Sequence, residues 1–89
     1  MKPSEIIKSV IDAVEMDESE FYMSSGPTAV DARWTVAMIL METGRSQPEV
    51  ARVLDMDPSS ISNIKRHFPK RVKTRPHLKS LYDDALERV

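Results

Sequence analysis

Apolar residues recur along this chain at the three- and four-residue spacing of α-helices, and no stretch shows the strict alternation of a strand. Ile6, Ile7, Val10, Ile11 and Val14 make one such stripe, which predicts a first helix over about 4–15 with Ser4 as its cap. Asp17, with Glu20 three residues on, has the form of a capping box and predicts a short second helix over about 17–23 containing Phe21 and Tyr22. Met23-Ser24-Ser25-Gly26-Pro27 breaks the pattern. A third helix is expected from Thr28 or Ala29 to Thr43. Around Trp34 and from Val36 to Met41 it is apolar on nearly every face, which marks a buried axis, and Gly44 is placed to end it in a left-handed conformation.

Ser46-Gln47-Pro48-Glu49 opens a fourth helix over about 47–54, with Ser46 as cap, Glu49 at the reciprocal position and Pro48 tolerated in the first turn. Its inner face is Val50, Ala51, Val53 and Leu54. Asp57-Pro58 starts a fifth helix, a cap residue followed by proline at the first helical position, and Pro69 is expected to stop it at 68. A basic linker follows. Pro76 or His77 then opens an amphipathic C-terminal helix over about 76–88 carrying Leu78, Leu81, Tyr82, Ala85, Leu86 and Val89. The pattern predicts an all-α fold, a compact cluster of about six helices in a single domain over 1–89, with Val36, Ala37, Leu40, Val50, Leu54, Ile61 and Ile64 in its core.

Only Asp55-Met56-Asp57 separates the fourth and fifth helices, a spacing that suits a helix-turn-helix over about 46–68. Ala51 is small where the two helices should cross, and Asp55 tolerates the left-handed conformation such a turn requires. Met56, Ile61 and Ile64 are expected to plug the angle between them. With Ile61, Ile64 and Phe68 turned inward, the outer face of the fifth helix carries Ser59, Ser60, Ser62, Asn63, Arg66 and His67. A merely solvated helix more often carries mixed Glu and Lys pairs. Short serines and an asparagine let a helix approach base edges closely, where Asn pairs in bidentate fashion with adenine and Ser donates or accepts.

Composition narrows the chemistry. The chain has no cysteine, which excludes disulfides, thiolate zinc sites and cysteine nucleophiles, and its two glycines cannot build a glycine-rich phosphate loop. His67 and His77 are the only histidines and supply at most half a metal site. Asp83, Asp84 and Glu87 read as an exposed acidic face, Trp34 as a core residue, and Met38 and Met41 as core fillers. No serine has a base and an orienting acid in a readable motif. The expectation is therefore no enzyme, no cofactor, no metal and no small-molecule substrate. No apolar run approaches the ~20 residues of a membrane span, and Met1-Lys2-Pro3-Ser4-Glu5 lacks a signal-peptide core, so a cytoplasmic domain is expected.

The formal net charge of −1 conceals a division along the chain. Through Asp31, two lysines oppose seven acids, a net −5; from Ala32 onward, eleven bases oppose seven acids, a net +4. Between Pro58 and Tyr82 the bases are Lys65, Arg66, Lys70, Arg71, Lys73, Arg75 and Lys79, with no acid among them. Such a one-signed stretch is a common footprint of nucleic-acid binding. Lys65, Arg66, Lys70, Arg71, Lys73 and Arg75, together with Arg33, Ser46, Gln47 and Ser62, are the candidate phosphate contacts.

Three segments also carry a family likeness: Arg33-Trp34-Thr35-Val36-Ala37-Met38-Ile39-Leu40, Ser46-Gln47-Pro48-Glu49-Val50 and Asp57-Pro58-Ser59-Ser60-Ile61. Together they resemble the C-terminal DNA-binding domain of the DnaA replication initiators, over roughly residues 4–68. In that family a long helix with an Ala-Met-x-Leu segment precedes a helix-turn-helix of the Trp-repressor type, whose recognition helix opens on Asp-His-Thr-Thr-Val. The resemblance implies that Asp57, Ser59 and Ser60 face base edges, that Pro58 stands where the family has one histidine, and that Asn63 stands where it has a second. The family's arginine-rich loop before the long helix is here Ser24 to Ala32, without a base until Arg33, and the initiators' ATPase domain is not part of the likeness.

The expectation that follows is a sequence-specific binder of double-stranded DNA, associated with the nucleoid and serving as a bacterial or phage transcriptional regulator. The resemblance extends to the DNA-reading modules of prophage and gene-transfer-agent activators. Asp57, Pro58, Ser59, Ser60 and Asn63 would read bases. The alternative is an interaction adaptor, docking RNA polymerase, a replication protein or another DNA-bound protein through the acidic N-terminal helices or the C-terminal amphipathic one.

Overall fold

In the computed structural model, which describes residues 1–89, six helices form a near-spherical body with extents of 26 × 26 × 26 Å. They are α1 (Pro3–Ala13), α2 (Glu18–Met23), α3 (Pro27–Glu42), α4 (Gln47–Leu54), α5 (Pro58–Thr74) and α6 (Pro76–Glu87), and there is no strand. The all-α cluster expected from the spacing is the fold observed. No helix is long and apolar enough to cross a membrane.

The apolar third helix is the axis. α3 packs against each of the other five helices, and Ala29, Ala32, Val36, Ala37, Ile39 and Leu40 along it are buried. Its alanines let neighbours approach closely, while Val36, Ile39 and Leu40 each contribute roughly 1.5–3 kcal/mol by leaving water. Around this axis close Ile6 and Val10 from α1, Phe21 from α2, Val50 and Leu54 from α4, and Ile61 and Ile64 from α5. The seven core residues expected from the sequence are all buried. Trp34 is only half-buried, where the sequence pointed to a core role. Thr35 is fully buried with no partner for its hydroxyl.

Three helices end alike. After α1, α3 and α4 the chain turns through a left-handed residue (Glu15 at φ 56°, Gly44 at φ 100°, Asp55 at φ 55°). At each, the next amide reaches back to a carbonyl of the last turn: Met16 to Ile11, Arg45 to Leu40 and Met56 to Ala51, at 3.1, 3.1 and 2.9 Å. This pairing satisfies carbonyls that a helix end otherwise leaves open. At the N-termini, Asp17 Oδ1 accepts from the Glu20 amide at 2.8 Å and Ser46 Oγ accepts from the Glu49 amide at 3.4 Å.

Three expectations are corrected. α1 begins a residue earlier than expected, at Pro3, so Ser4 is not its cap; the Lys2 amide instead donates to Glu5 at 3.1 Å. Asp57 occupies the cap position of α5, but its carboxylate makes no capping bond. Most consequentially, Pro69 does not stop α5, which runs on to Thr74 and absorbs the supposed basic linker. A proline inside a helix removes one backbone hydrogen bond and costs ~3 kcal/mol. Packing on both sides of it offsets that cost. The Phe68 ring meets Tyr82 of α6 at 5.2 Å between centroids, edge to face. Asp31, its side chain almost fully buried on α3, holds Arg71 Nε at 2.8 Å and Arg75 Nε at 2.6 Å.

Candidate nucleic-acid interface

α4 and α5 meet at a three-residue turn whose parts are those the sequence suggested. Ala51 is buried, Asp55 is left-handed, and Met56 lies half-buried against the core that contains Ile61 and Ile64. The crossing is also stitched from outside, because Ser62 Oγ donates to Gln47 Oε1 at 2.6 Å. Two residues expected separately on the phosphate-facing side are thus brought together, joining the first turn of α4 to the second turn of α5.

The outer face of α5 sorts into two zones along one helix. Its first half presents Ser59, Ser62 and Asn63, all exposed, with Ser60 half-buried and Asp57 and Pro58 exposed at its start. Its second half presents Arg66, Lys70 and Lys73, exposed and in none of the chain's ion pairs. Continuity through Pro69 puts both zones on one continuous rod of 17 residues. At 1.5 Å per residue that rod is about 25 Å long. No acidic residue lies between Pro58 and Tyr82 to oppose it.

The basic residues expected on phosphates are not equivalent. Arg33 is turned inward, its Nη1 donating to the Phe21 and Ser24 carbonyls at 2.7 and 2.8 Å, and burial draws its pKa down. It ties the end of α2 to α3. Arg75 is bound to Asp31 at the α5–α6 corner. Arg71 is shared, with its Nε on Asp31 and its guanidinium 5.0 Å over the Trp34 ring. Lys65 lies on the opposite flank of α5, lining a hollow with Met38, Met41 and Glu42 of α3. Arg66, Lys70 and Lys73 are the cations left without an internal partner on the outer stripe. Ser46 stands at the α4 cap, exposed.

The sequence reading missed Asp31 altogether, counting it among the acids of the first half. A signal existed: Asp31 lies on α3 one turn before Thr35, within an apolar helix, and a buried carboxylate requires paired cations. Which cations they are was not legible, since Arg71 and Arg75 lie 40 and 44 residues away.

No cluster of His, Cys, Asp or Glu side chains suited to a metal ion is present. Asp83, Asp84 and Glu87 are exposed on α6, and Asp83 is partly engaged by Lys79 at 2.9 Å. The opposite end of the charge division is equally exposed, with Asp12, Glu15, Asp17, Glu18 and Glu20 on and around α1 and α2. Compared with protein-family models, with curated proteins and with solved structures, the chain matches none.

Proposed function

We propose that this chain binds double-stranded DNA sequence-specifically, with α4 and α5 as a helix-turn-helix and α5 as the recognition helix in the major groove. A single observation carries this reading: α5 exposes a stripe that is uncharged and short-chained in its first half and whose charged members in its second half are all cationic. A helix entering the groove by its N-terminus needs that order, because base edges lie at the groove floor and phosphates at its lips. Ser59, Ser60 and Asn63 take the base-reading role, with Asp57 and Pro58 at the entering end; Arg66, Lys70 and Lys73 neutralise phosphates. The resemblance to the DnaA C-terminal domain supports the same assignment, and with it the role of DNA-reading module in a bacterial or phage transcriptional regulator.

The hydrogen bond from Ser62 to Gln47 links the two helices beside their crossing, and the Asp31 clamp holds the far end of α5 against the body. The recognition helix is therefore presented rigidly, which lowers the ordering cost of binding.

The second reading, an adaptor for RNA polymerase or another DNA-bound protein, draws on the exposed acids of α1 and α2 and on Leu86 and Val89, exposed at the end of α6. Mobility-shift titration with random-sequence duplex at two salt concentrations separates the two. A DNA binder shifts the duplex with an affinity that falls steeply with salt, whereas an adaptor gives no shift. Selection from a randomised duplex pool then reads the preferred site.

A further inference from the structure

Beside the outer stripe of α5 lies a shallow hollow of about 280 Å³, walled by His67, Lys70, Arg71 and Thr74 of α5 and by Trp34 of α3. Three of its five walls carry basic nitrogens and none carries an acid. We propose that this hollow seats one phosphate of the duplex backbone, with the adjoining sugar against the edge of the Trp34 indole. The proposal rests on the DNA-binding reading above and adds α3 to the interface.

Geometry supports the placement. His67 and Thr74 lie four and eleven residues beyond Asn63, which puts the hollow's α5 wall about 6–16 Å along the helix axis from it. The major groove is about 12 Å wide and about 8.5 Å deep. In a helix that enters the groove by its N-terminus with Asn63 at base edges, this wall lies on the outward side of Asn63, towards the groove's lip where the sugar–phosphate chain runs.

Preorganisation supports the chemistry. Arg71 has five N–H donors, and the ion pair with Asp31 engages its Nε at 2.8 Å. Asp31 and the Trp34 ring between them hold the guanidinium in one orientation. A phosphate arriving there meets a fixed fork of donors rather than a flexible side chain, which is how arginine recognises phosphate best. Asp31 is a positioning residue in this arrangement. Lys70 and His67 are exposed and close the rim.

The chain's one tryptophan makes the hollow observable, because all indole emission comes from Trp34 in its wall. The test uses the full chain and a duplex in which single backbone phosphates are replaced in turn by neutral methylphosphonates. Duplex binding is expected to change Trp34 emission with the same midpoint as the mobility shift. One methylphosphonate position should weaken binding about tenfold, the loss of a charge-assisted contact. In the exposed-site variants Lys70→Gln and His67→Gln that same position should matter less, since one of its partners is already gone while Arg71 remains. A mobility shift with unchanged Trp34 emission and additive losses overturns the hollow while leaving the DNA reading intact. No mobility shift overturns both. An equal emission change from millimolar inorganic phosphate alone assigns the hollow to free phosphate and overturns its role on the duplex.

Discussion

The carboxylate of Asp31 meets Arg75 at 2.6 Å and, through its other oxygen, Arg71 at 2.8 Å. One side chain on α3 thereby fixes the last turn of α5 and the corner into α6. A carboxylate almost fully buried is held in place only because two guanidinium groups compensate its lost hydration. The basic half of the chain consequently serves two purposes: part of its charge is spent inside the molecule, and part remains on the outer stripe.

Asp31→Asn should leave both arginines without their counter-charge. Thermal or urea unfolding is expected to show a loss of about 3 kcal/mol, the low end for breaking a buried pair, because both guanidinium groups are partly exposed and rehydrate. A variant as stable as the parent would show that the clamp holds nothing.

Pro69→Ala should stabilise. The helix already passes through position 69, so alanine restores the amide that proline removes without altering the path. A gain of about 1–3 kcal/mol is expected in unfolding, with unchanged or slightly higher helicity. A loss of stability would mean that a kink at Pro69 is required for Phe68 and Arg71 to reach their partners.

Ala51→Leu places three more carbons where α4 meets α5. Overpacking costs about 1–3 kcal/mol, and the Ser62–Gln47 hydrogen bond outside the crossing should be strained or lost. Weakened duplex binding accompanying a lower melting temperature is the expected outcome. Full stability together with full binding would place the crossing elsewhere.

Asn63→Ala and Lys73→Ala should fail in different ways. Removing the uncharged Asn63 should cost about 1–3 kcal/mol on the selected site and almost nothing on random duplex. Removing Lys73 should weaken all sequences and flatten the slope of log K against log salt by about one unit. Identical salt slopes and identical uniform losses for the two variants would contradict the division of α5 into base-reading and phosphate-binding halves.

At alkaline pH two tyrosines should report on the fold. Tyr22 and Tyr82 are pushed above the ordinary value of 10.0, chiefly by burial, then by Glu18 and Asp55 around Tyr22 and by Glu42 and Asp83 around Tyr82. The unfolded chain therefore releases these protons at lower pH than the folded one. Their contribution is complete below pH about 10 and is lost as pH rises through the higher folded values. The double variant Tyr22→Phe with Tyr82→Phe should flatten the alkaline decline in the urea midpoint. An unaltered decline would assign it to other groups.

Much of the fold could be read directly because its causes are local. The stripe Ile6–Ile7–Val10, the caps at Asp17 and Ser46, and Gly44 and Asp55 at the left-handed turns each depend on residues within one or two turns of one another. Glu15 shows where that legibility stops, since nothing in a glutamate announces a left-handed residue, and the tertiary path of α1 into α2 imposes it. Pro69 shows the same limit more sharply. Its local preference against a helix interior is strong, yet Phe68 against Tyr82 and the two arginines on Asp31 outweigh it.

By itself the sequence determined that the chain is a cluster of helices about an apolar third one, that the fourth and fifth are joined by a tight turn, and which face of the fifth is turned to solvent. Periodicity and capping suffice for that, because they act between neighbours in the chain. Only the tertiary structure decided how far the fifth helix extends and which basic side chains are spent on Asp31 and on the carbonyls of α2. It also brought Trp34 to the rim of a basic hollow. Those outcomes depend on groups 9 to 44 residues apart meeting in a buried or half-buried setting, where the cost of an uncompensated charge exceeds any local preference.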